Sequence, residues 1–400
     1  MKKRTSNSYW GLILILGSMS AIGPLSIDLY LPAFNDIARD LNTDLPHVAY
    51  TLSSYFLGIG IGQLIFGPIT DRFGRKWPTV IGLFVFGITA AFIYLTPTIE
   101  AFIGARIIMA LGGCIGMITS KAMVRDLFPP DKSAQVFSVL MLVMGIAPVV
   151  GPTLGGVMVA QYGWRSIFVF LTLYATLVFL AVLLLLKETR GPDKNVSLGL
   201  LSILREYKAV LSNAWFIKFS ISGSLAYAGM FAYISGASFI YLDVFGLSQQ
   251  QFGWTFGLNA GGYILGAQLN GIFLRKWSSV KVCQRTMMIQ FVIAIVMVVI
   301  CWRTGWLFWG ASIGIWFYLF CLGFITPNTT AQALVPFQSK AGMASAMIGS
   351  MQMVSGALIS LLVSSLIGTT ILPILCVMLG ASCIGMLVLN GEKILALSRS

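Results

Sequence analysis

Asp28 stands in Pro24-Leu25-Ser26-Ile27-Asp28-Leu29-Tyr30-Leu31-Pro32, near the outer third of a long apolar run. A carboxylate is costly there and by default marks function, and a cycle of proton gain and loss suits it. The plainer reading groups it with Asp36, Asp40 and Asp44 as an interfacial acid. Arg106 lies at comparable depth in the fourth apolar run, within Glu100-Ala101-Phe102-Ile103-Gly104-Ala105-Arg106. An Asp28–Arg106 pair could form when the acid is ionised and break on protonation, with a purely structural ion pair as the alternative. A third charged set, Gly67-Pro68-Ile69-Thr70-Asp71-Arg72-Phe73-Gly74-Arg75-Lys76, separates two apolar runs and cannot sit in hydrocarbon. Gly67 would let a helix end approach its neighbour, and Asp71 would accept from a helix N-terminus or pair with arginine. Arg72, Arg75 and Lys76 would hold the loop on the cytoplasmic side, and for Arg75 and Lys76 orientation alone is an equal reading.

Other chemistries find little support. The single histidine, His47, falls at the start of the second run and reads as a solvated residue, so neither a His pair nor a zinc site is available. The cysteines, Cys114, Cys283, Cys301, Cys321, Cys376 and Cys383, lack metal-ligand spacing and read as small packing residues. No nucleophile–base set converges, so an enzyme is not expected and no cofactor is implied. A Walker-type phosphate loop is absent, which leaves an ion gradient or the substrate's own gradient as the source of work.

The elements that must hold these groups follow from composition. With 57% hydrophobic and 10% charged residues over 400 positions, the chain has more apolar material than a soluble protein could bury. Apolar runs of about 20 residues suit helices, not the shorter strands of a β-barrel. An all-α membrane protein is therefore expected. Twelve spans are predicted, at 10–33, 47–69, 77–96, 100–123, 133–159 and 164–187, then 214–241, 249–274, 283–303, 306–327, 341–367 and 370–390. Met1-Lys2-Lys3-Arg4 before an apolar run could mimic a signal peptide, but no clear cleavage site precedes Asp28 and the run is long enough to be kept as the first span.

The net charge of +13 follows membrane sidedness and does not indicate nucleic acid. With both termini cytoplasmic, inside segments collect Lys2, Lys3, Arg4, Arg72, Arg75, Lys76, Lys121, Arg125, Lys132, Arg275, Lys276, Lys281 and Arg285. Outside segments hold Arg39, Arg165 and Arg303, which is the positive-inside asymmetry.

The rhythm breaks once. Lys187 to Lys194 is polar, and Leu198 to Leu211 is amphipathic with Arg205, Glu206 and Lys208, a linker with a helix along the membrane surface. Three parts result: a six-helix bundle at 1–187, a cytoplasmic linker at 188–213 and a second six-helix bundle at 214–400. Thr119 to Pro129 matches Thr326 to Pro336, and Asn270-Gly271-Ile272-Phe273-Leu274-Arg275-Lys276 copies the charged loop with Leu274 in place of Asp71. The halves read as pseudo-symmetric repeats with the acid kept in one.

Within the spans, Tyr30, Tyr55, Gln63, Tyr227, Tyr233, Asn259, Gln268, Asn328 and Gln352 could line a ligand cavity, although each singly fits a helix–helix hydrogen bond or an interface anchor. The fifth span carries Gly145-Ile146-Ala147-Pro148-Val149-Val150-Gly151-Pro152-Thr153-Leu154-Gly155-Gly156, in which two prolines would kink the helix and the glycines would allow close packing.

The spacing G-x-x-x-D-R-x-G-R-K at 67–76 resembles the loop between the second and third helices of the major facilitator superfamily, and the order at 145–156 resembles the antiporter motif of its drug:proton antiporters. Together with Asp28 in its Ile-Asp-Leu-Tyr-Leu-Pro setting, Arg106 and Lys187-Glu188-Thr189-Arg190, these make the chain similar to the Bcr/CflA multidrug efflux group. The resemblance implies the major facilitator fold, alternating access, the inner membrane of a bacterium, and export of small amphipathic drugs in exchange for protons, by a monomer. By the same carry-over Gly67, Asp71, Arg72, Gly74, Arg75 and Lys76 form a conformational latch, Asp28 and Arg106 couple protons, and Gly145, Pro148, Gly151, Pro152, Gly155 and Gly156 form part of the bundle interface. An exporter dedicated to one metabolite or siderophore, or a proton symporter, fits the same residues.

Overall fold

The computed structural model describes residues 6–193, 198–304, 308–368 and 370–397, so the basic residues Lys2, Lys3 and Arg4 lie outside the described residues. Among these residues there is helix and no strand, as expected where hydrocarbon forces every backbone group to find its partner within its own segment. In chain order the helices are α1 (Ser6–Asp28), α2 (Phe34–Asp40), α3 (Leu45–Phe73), α4 (Lys76–Leu95), α5 (Ile99–Leu127), α6 (Pro130–Tyr162), α7 (Arg165–Leu185), α8 (Leu200–Leu211), α9 (Ala214–Ser238), α10 (Gln249–Phe273), α11 (Ser279–Thr304), α12 (Phe308–Leu334), α13 (Ala341–Leu366) and α14 (Leu372–Leu397). All but the short α2 and the linker helix α8 are long enough to cross a bilayer.

Eleven of the described helical segments are also apolar enough to span; α10 is the long helix that is not among them. Its sequence is rich in Gln, Gly and Asn because it is wedged between α6 and α12, with Gly253, Gly257, Asn259, Gly262, Gly266 and Asn270 buried. Its polar and small residues face protein on two sides, while Trp254, Leu258, Leu265 and Ile272 form its exposed apolar side. Helix starts are set by local chemistry: Asp44 caps α3, Thr98 caps α5, Asn213 caps α9, and Ser248 with Gln251 forms a capping box on α10.

The same neighbour pattern recurs in the two halves. In the first, α5 packs on α1, α3 and α4, α4 packs on α7, and α1 on α6; in the second, α12 packs on α9, α10 and α11, α11 on α14, and α9 on α13. This is the pseudo-symmetry that the sequence repeats predict. The halves join mainly through α3 against α13 and α6 against α10.

Pro148 and Pro152 sit inside α6, which runs as one helix from Pro130 to Tyr162. One expectation about elements changes. The linker helix α8 does more than lie on a membrane surface: Tyr207 and Val210 are buried, and the Tyr207 hydroxyl donates to the Leu64 carbonyl of α3 at 2.9 Å.

Candidate functional site

Asp28 is the last residue of α1, beyond which Leu31–Ala33 forms a 3-10 turn with Pro32 in its first positions. That change of helix type turns the backbone where two other elements converge. The Leu29 carbonyl is pressed against Gly155 of α6, where any β-carbon would collide with it, and Gly151 meets the Asp28 β-carbon. From the second half, the Ser238 hydroxyl donates to the Leu31 carbonyl at 2.6 Å.

The Asp28 side chain is 4% exposed and, among the described residues, has no hydrogen-bond or ion-pair partner. It lies within electrostatic reach of the Tyr227 and Tyr233 hydroxyls on α9, across the seam between the halves. The expected pairing with Arg106 is not formed.

Arg106, fully buried, is engaged elsewhere. Its guanidinium donates to the Ser26 carbonyl at 3.0 Å and to the Thr51 carbonyl at 3.4 Å. It also lies 4.4 Å from the Tyr30 ring centre and 4.1 Å from that of Tyr55. Two carbonyl dipoles and two aromatic faces thus replace a counter-ion. Tyr30 and Tyr55, expected to line a cavity, are walls of this cage: both are buried, Tyr30 Oη lies 3.2 Å from Thr51 Oγ1, and Tyr55 Oη is among the buried atoms without a partner.

The remaining cavity candidates divide. Tyr233 stacks on Phe256 and receives a hydrogen bond from Asn259 at 3.2 Å, while Asn259 also donates to Tyr241 at 2.8 Å, so both are fully buried within the second half. Asn328 belongs to no cavity here; it donates to Asn270 and accepts from Ser279, each at 2.7 Å, tying α10, α11 and α12. Tyr227 and Gln352 keep partial exposure and remain available to an internal ligand. Sequence reasoning missed the hydroxyl chain across the seam, in which Ser53 and Ser235 each donate to Ser360 at 2.7 Å; isolated serines in spans give no periodic signal.

At the other end of the bundle the charged loop is organised by Arg75. Its guanidinium is 7% exposed and meets Asp71 at 2.6 Å, Asp126 at 3.3 Å and the Thr70 hydroxyl at 3.0 Å. Asp71 also pairs with Arg190 at 3.6 Å. The helix N-terminus that Asp71 was expected to cap is taken by Glu188, whose carboxylate accepts from the Arg75 N–H at 2.8 Å and the Lys76 N–H at 3.1 Å. Gly74, at a φ of +89°, turns the chain so that Glu188 fits against it. Lys76 reaches the Leu183 carbonyl at 2.9 Å. These partners belong to the first half and to the start of the linker. A β-carbon on Gly67 would meet nothing within 4 Å, so the close approach expected there is absent in this state.

The opposite end is where the halves touch through polar groups. Asn35 donates to Asp243 at 3.0 Å, and Gln249 donates to Asp36 at 2.6 Å, so each half supplies one amide and one carboxylate. Beside them Asp40 is held by Arg165 and by the Trp164 ring N–H at 3.1 Å. His47 is half exposed and adjoins Asp44.

The Major Facilitator Superfamily model matches residues 16–362. The chain belongs to the major facilitator superfamily. A bicyclomycin resistance protein homolog of Haemophilus influenzae is 31% identical over 366 residues, 91% of each chain, and multidrug resistance protein D of Escherichia coli is 27% identical over 356 residues, 88% of each. Among solved structures, the human organic anion transporter MFSD10 superposes with a TM-score of 0.67 at 18% identity, covering 95% of this chain and 99% of that one. Similarity to the two resistance proteins agrees with the Bcr/CflA likeness of the motifs, and the structural match agrees with the major facilitator fold. Members of this superfamily are transporters, not enzymes.

Proposed function

We propose that this major facilitator is a proton-coupled exporter of small amphipathic compounds, working by alternating access in a bacterial inner membrane as a monomer with both termini cytoplasmic. Protons are its coupling ion, and it moves a small-molecule substrate without a cofactor. Its units are residues 1–187 and 214–400, joined by the linker at 188–213. One observation carries the reading: Asp28 is buried and unpartnered at the point where α1, α6 and α9 meet, so its protonation would change the contact between the halves directly. The resistance proteins to which the chain is similar support drugs as the substrate class.

In this scheme the end bearing Asn35, Asp36, Asp243 and Gln249 faces outward and is closed, while the end bearing the charged loop faces the cytoplasm. Substrate enters from the loop end. Protonation of Asp28 from outside favours release, and its deprotonation inward resets the cycle. Arg106 acts on Asp28 by fixing the Ser26 carbonyl two residues earlier, as a positioning residue. An electrical gradient supplies about 2.3 kcal/mol per charge per 100 mV, so one or two protons sustain roughly a ten- to thousandfold substrate gradient.

The test is transport in proteoliposomes under an imposed pH gradient. Asp28→Asn is expected to abolish gradient-driven transport and to keep substrate exchange; undiminished gradient-driven transport in that variant would remove Asp28 from the mechanism.

A further inference from the structure

A second set of ionisable groups in the spans is untouched by this scheme. Lys121 and Arg125 stand one turn apart on α5. Around that helix, Ser120 meets Ser20 of α1 at 2.8 Å, Thr119 meets Thr79 of α4 at 2.9 Å, and Cys114 donates to the Ile59 carbonyl of α3 at 3.5 Å. Lys121 follows Ser120 and lies two turns from Cys114, which sets it between the α1 and α3 sides of the helix. It is exposed to solvent on that side of the helix. The Ser20–Ser120 contact fixes its level: eight residues of α1 separate Ser20 from Asp28, about 12 Å at a rise of about 1.5 Å per residue.

Among the described residues, three acids of the loop cluster are committed to other partners. Asp71 goes to Arg75 and Arg190, Asp126 to Arg75 and the Thr189 hydroxyl, and Glu188 to the start of α4. Among the described residues neither Lys121 nor Arg125 has an ion-pair or hydrogen-bond partner, and Arg125 is exposed as well. Arg106, by contrast, is sealed in its tyrosine cage and presents no charge to a ligand.

We propose that Lys121, reinforced by Arg125, is the charge-selecting residue at the loop-side mouth of the central cavity. It rejects permanent lipophilic cations and offers a hydrogen-bond donor to uncharged or dipolar amphipathic substrates with an acceptor group. The proposal rests on the export reading for its direction and names the substrate class of that same pathway. Repulsion between unit charges about 10 Å apart at an effective dielectric constant near 20 corresponds to roughly tenfold in affinity.

The experiment uses full-length protein in lipid nanodiscs, with tetraphenylphosphonium binding as one arm and pH-gradient-driven uptake of bicyclomycin, an uncharged probe, into inside-out proteoliposomes as the other. Lys121→Met is expected to bind tetraphenylphosphonium roughly tenfold more tightly than wild type, Lys121→Arg to bind it as weakly as wild type, and Lys121→Met/Arg125→Met to bind it more tightly still. A tetraphenylphosphonium affinity in Lys121→Met within twofold of wild type overturns the proposal. So does equal gain in Lys121→Arg, which keeps the charge and controls for a packing effect. Loss of bicyclomycin uptake by wild type would count against the export reading alone, because the binding arm is read without a gradient.

Discussion

Arg75 carries more of the charged loop than its place in a basic cluster suggests. A guanidinium so nearly buried, shared by Asp71 and Asp126, is a network whose loss leaves, among the described residues, Asp126 without a cation and Asp71 with Arg190 alone. Arg75→Gln is expected to lower stability by about 3 kcal/mol, whereas Arg285→Gln, whose guanidinium rests on the Trp277 ring at 4.7 Å, costs less than about 1 kcal/mol. Thermal unfolding in detergent separates the two. Nearer the other end, the His47 backbone N–H holds the Asp44 carboxyl below its usual range. A depressed folded-state value means that this cap contributes fully above the ordinary carboxylate value of about 4 and is lost as pH falls through the lower folded value. The wild-type minus Asp44→Asn stability difference should therefore be flat from pH 5 to 8 and shrink only under strong acid; a change between pH 5 and 8 would contradict the assignment to Asp44.

At the scale of elements, α6 shows that one motif can hold unequal positions. Gly155 lies hard against the Leu29 backbone, while a β-carbon on Gly145 would sit at an ordinary 3.5 Å from Ile264. Gly155→Val is expected to prevent assembly or lower stability by several kcal/mol, and Gly145→Ala to cost under about 1 kcal/mol, read from monodisperse yield after heating. Backbone gives way far less readily than the end of an isoleucine. For α8, Tyr207→Phe removes a single hydrogen bond to α3, worth about 1 kcal/mol, and leaves the apolar contact in place.

For the whole molecule, the two ends differ in what joins the halves. Between the halves, Asn35–Asp243 and Asp36–Gln249 bridge one end, while the partners given above for the charged loop at the other end lie in the first half and the start of the linker. Removing both bridges with Asn35→Ala and Gln249→Ala should shift the population toward the opposite state by roughly tenfold, at about 1 kcal/mol of net contribution or less from each bond. Pulsed electron resonance between spin labels at the two ends measures it, with unchanged distance distributions as the contrary result. In the state so reached, Gly67 would find the neighbour that it lacks here. Gly67→Leu is therefore expected to spare stability in this state and to slow turnover.

Apolar runs and their charged punctuation marked the order of the long helices, because length against bilayer thickness is a one-dimensional constraint that all but α10 among the described long helices meet on their own. Motif spacing likewise marked the loop at 67–76 and the glycine run at 145–156, since close packing and charge at a membrane edge restrict residue type locally. Pairing was not legible. Asp28 and Arg106 share a depth but turn to different neighbours, a matter of helix rotation that the break after Asp28 sets. Glu188 reaches Arg75 across more than a hundred positions, and the amides of Asn328 and Asn259 close networks inside the second half instead of lining a cavity. Which carboxylate meets which cation, and which cations are left over, depends on the three-dimensional census of partners, and that exists only once the helices have packed.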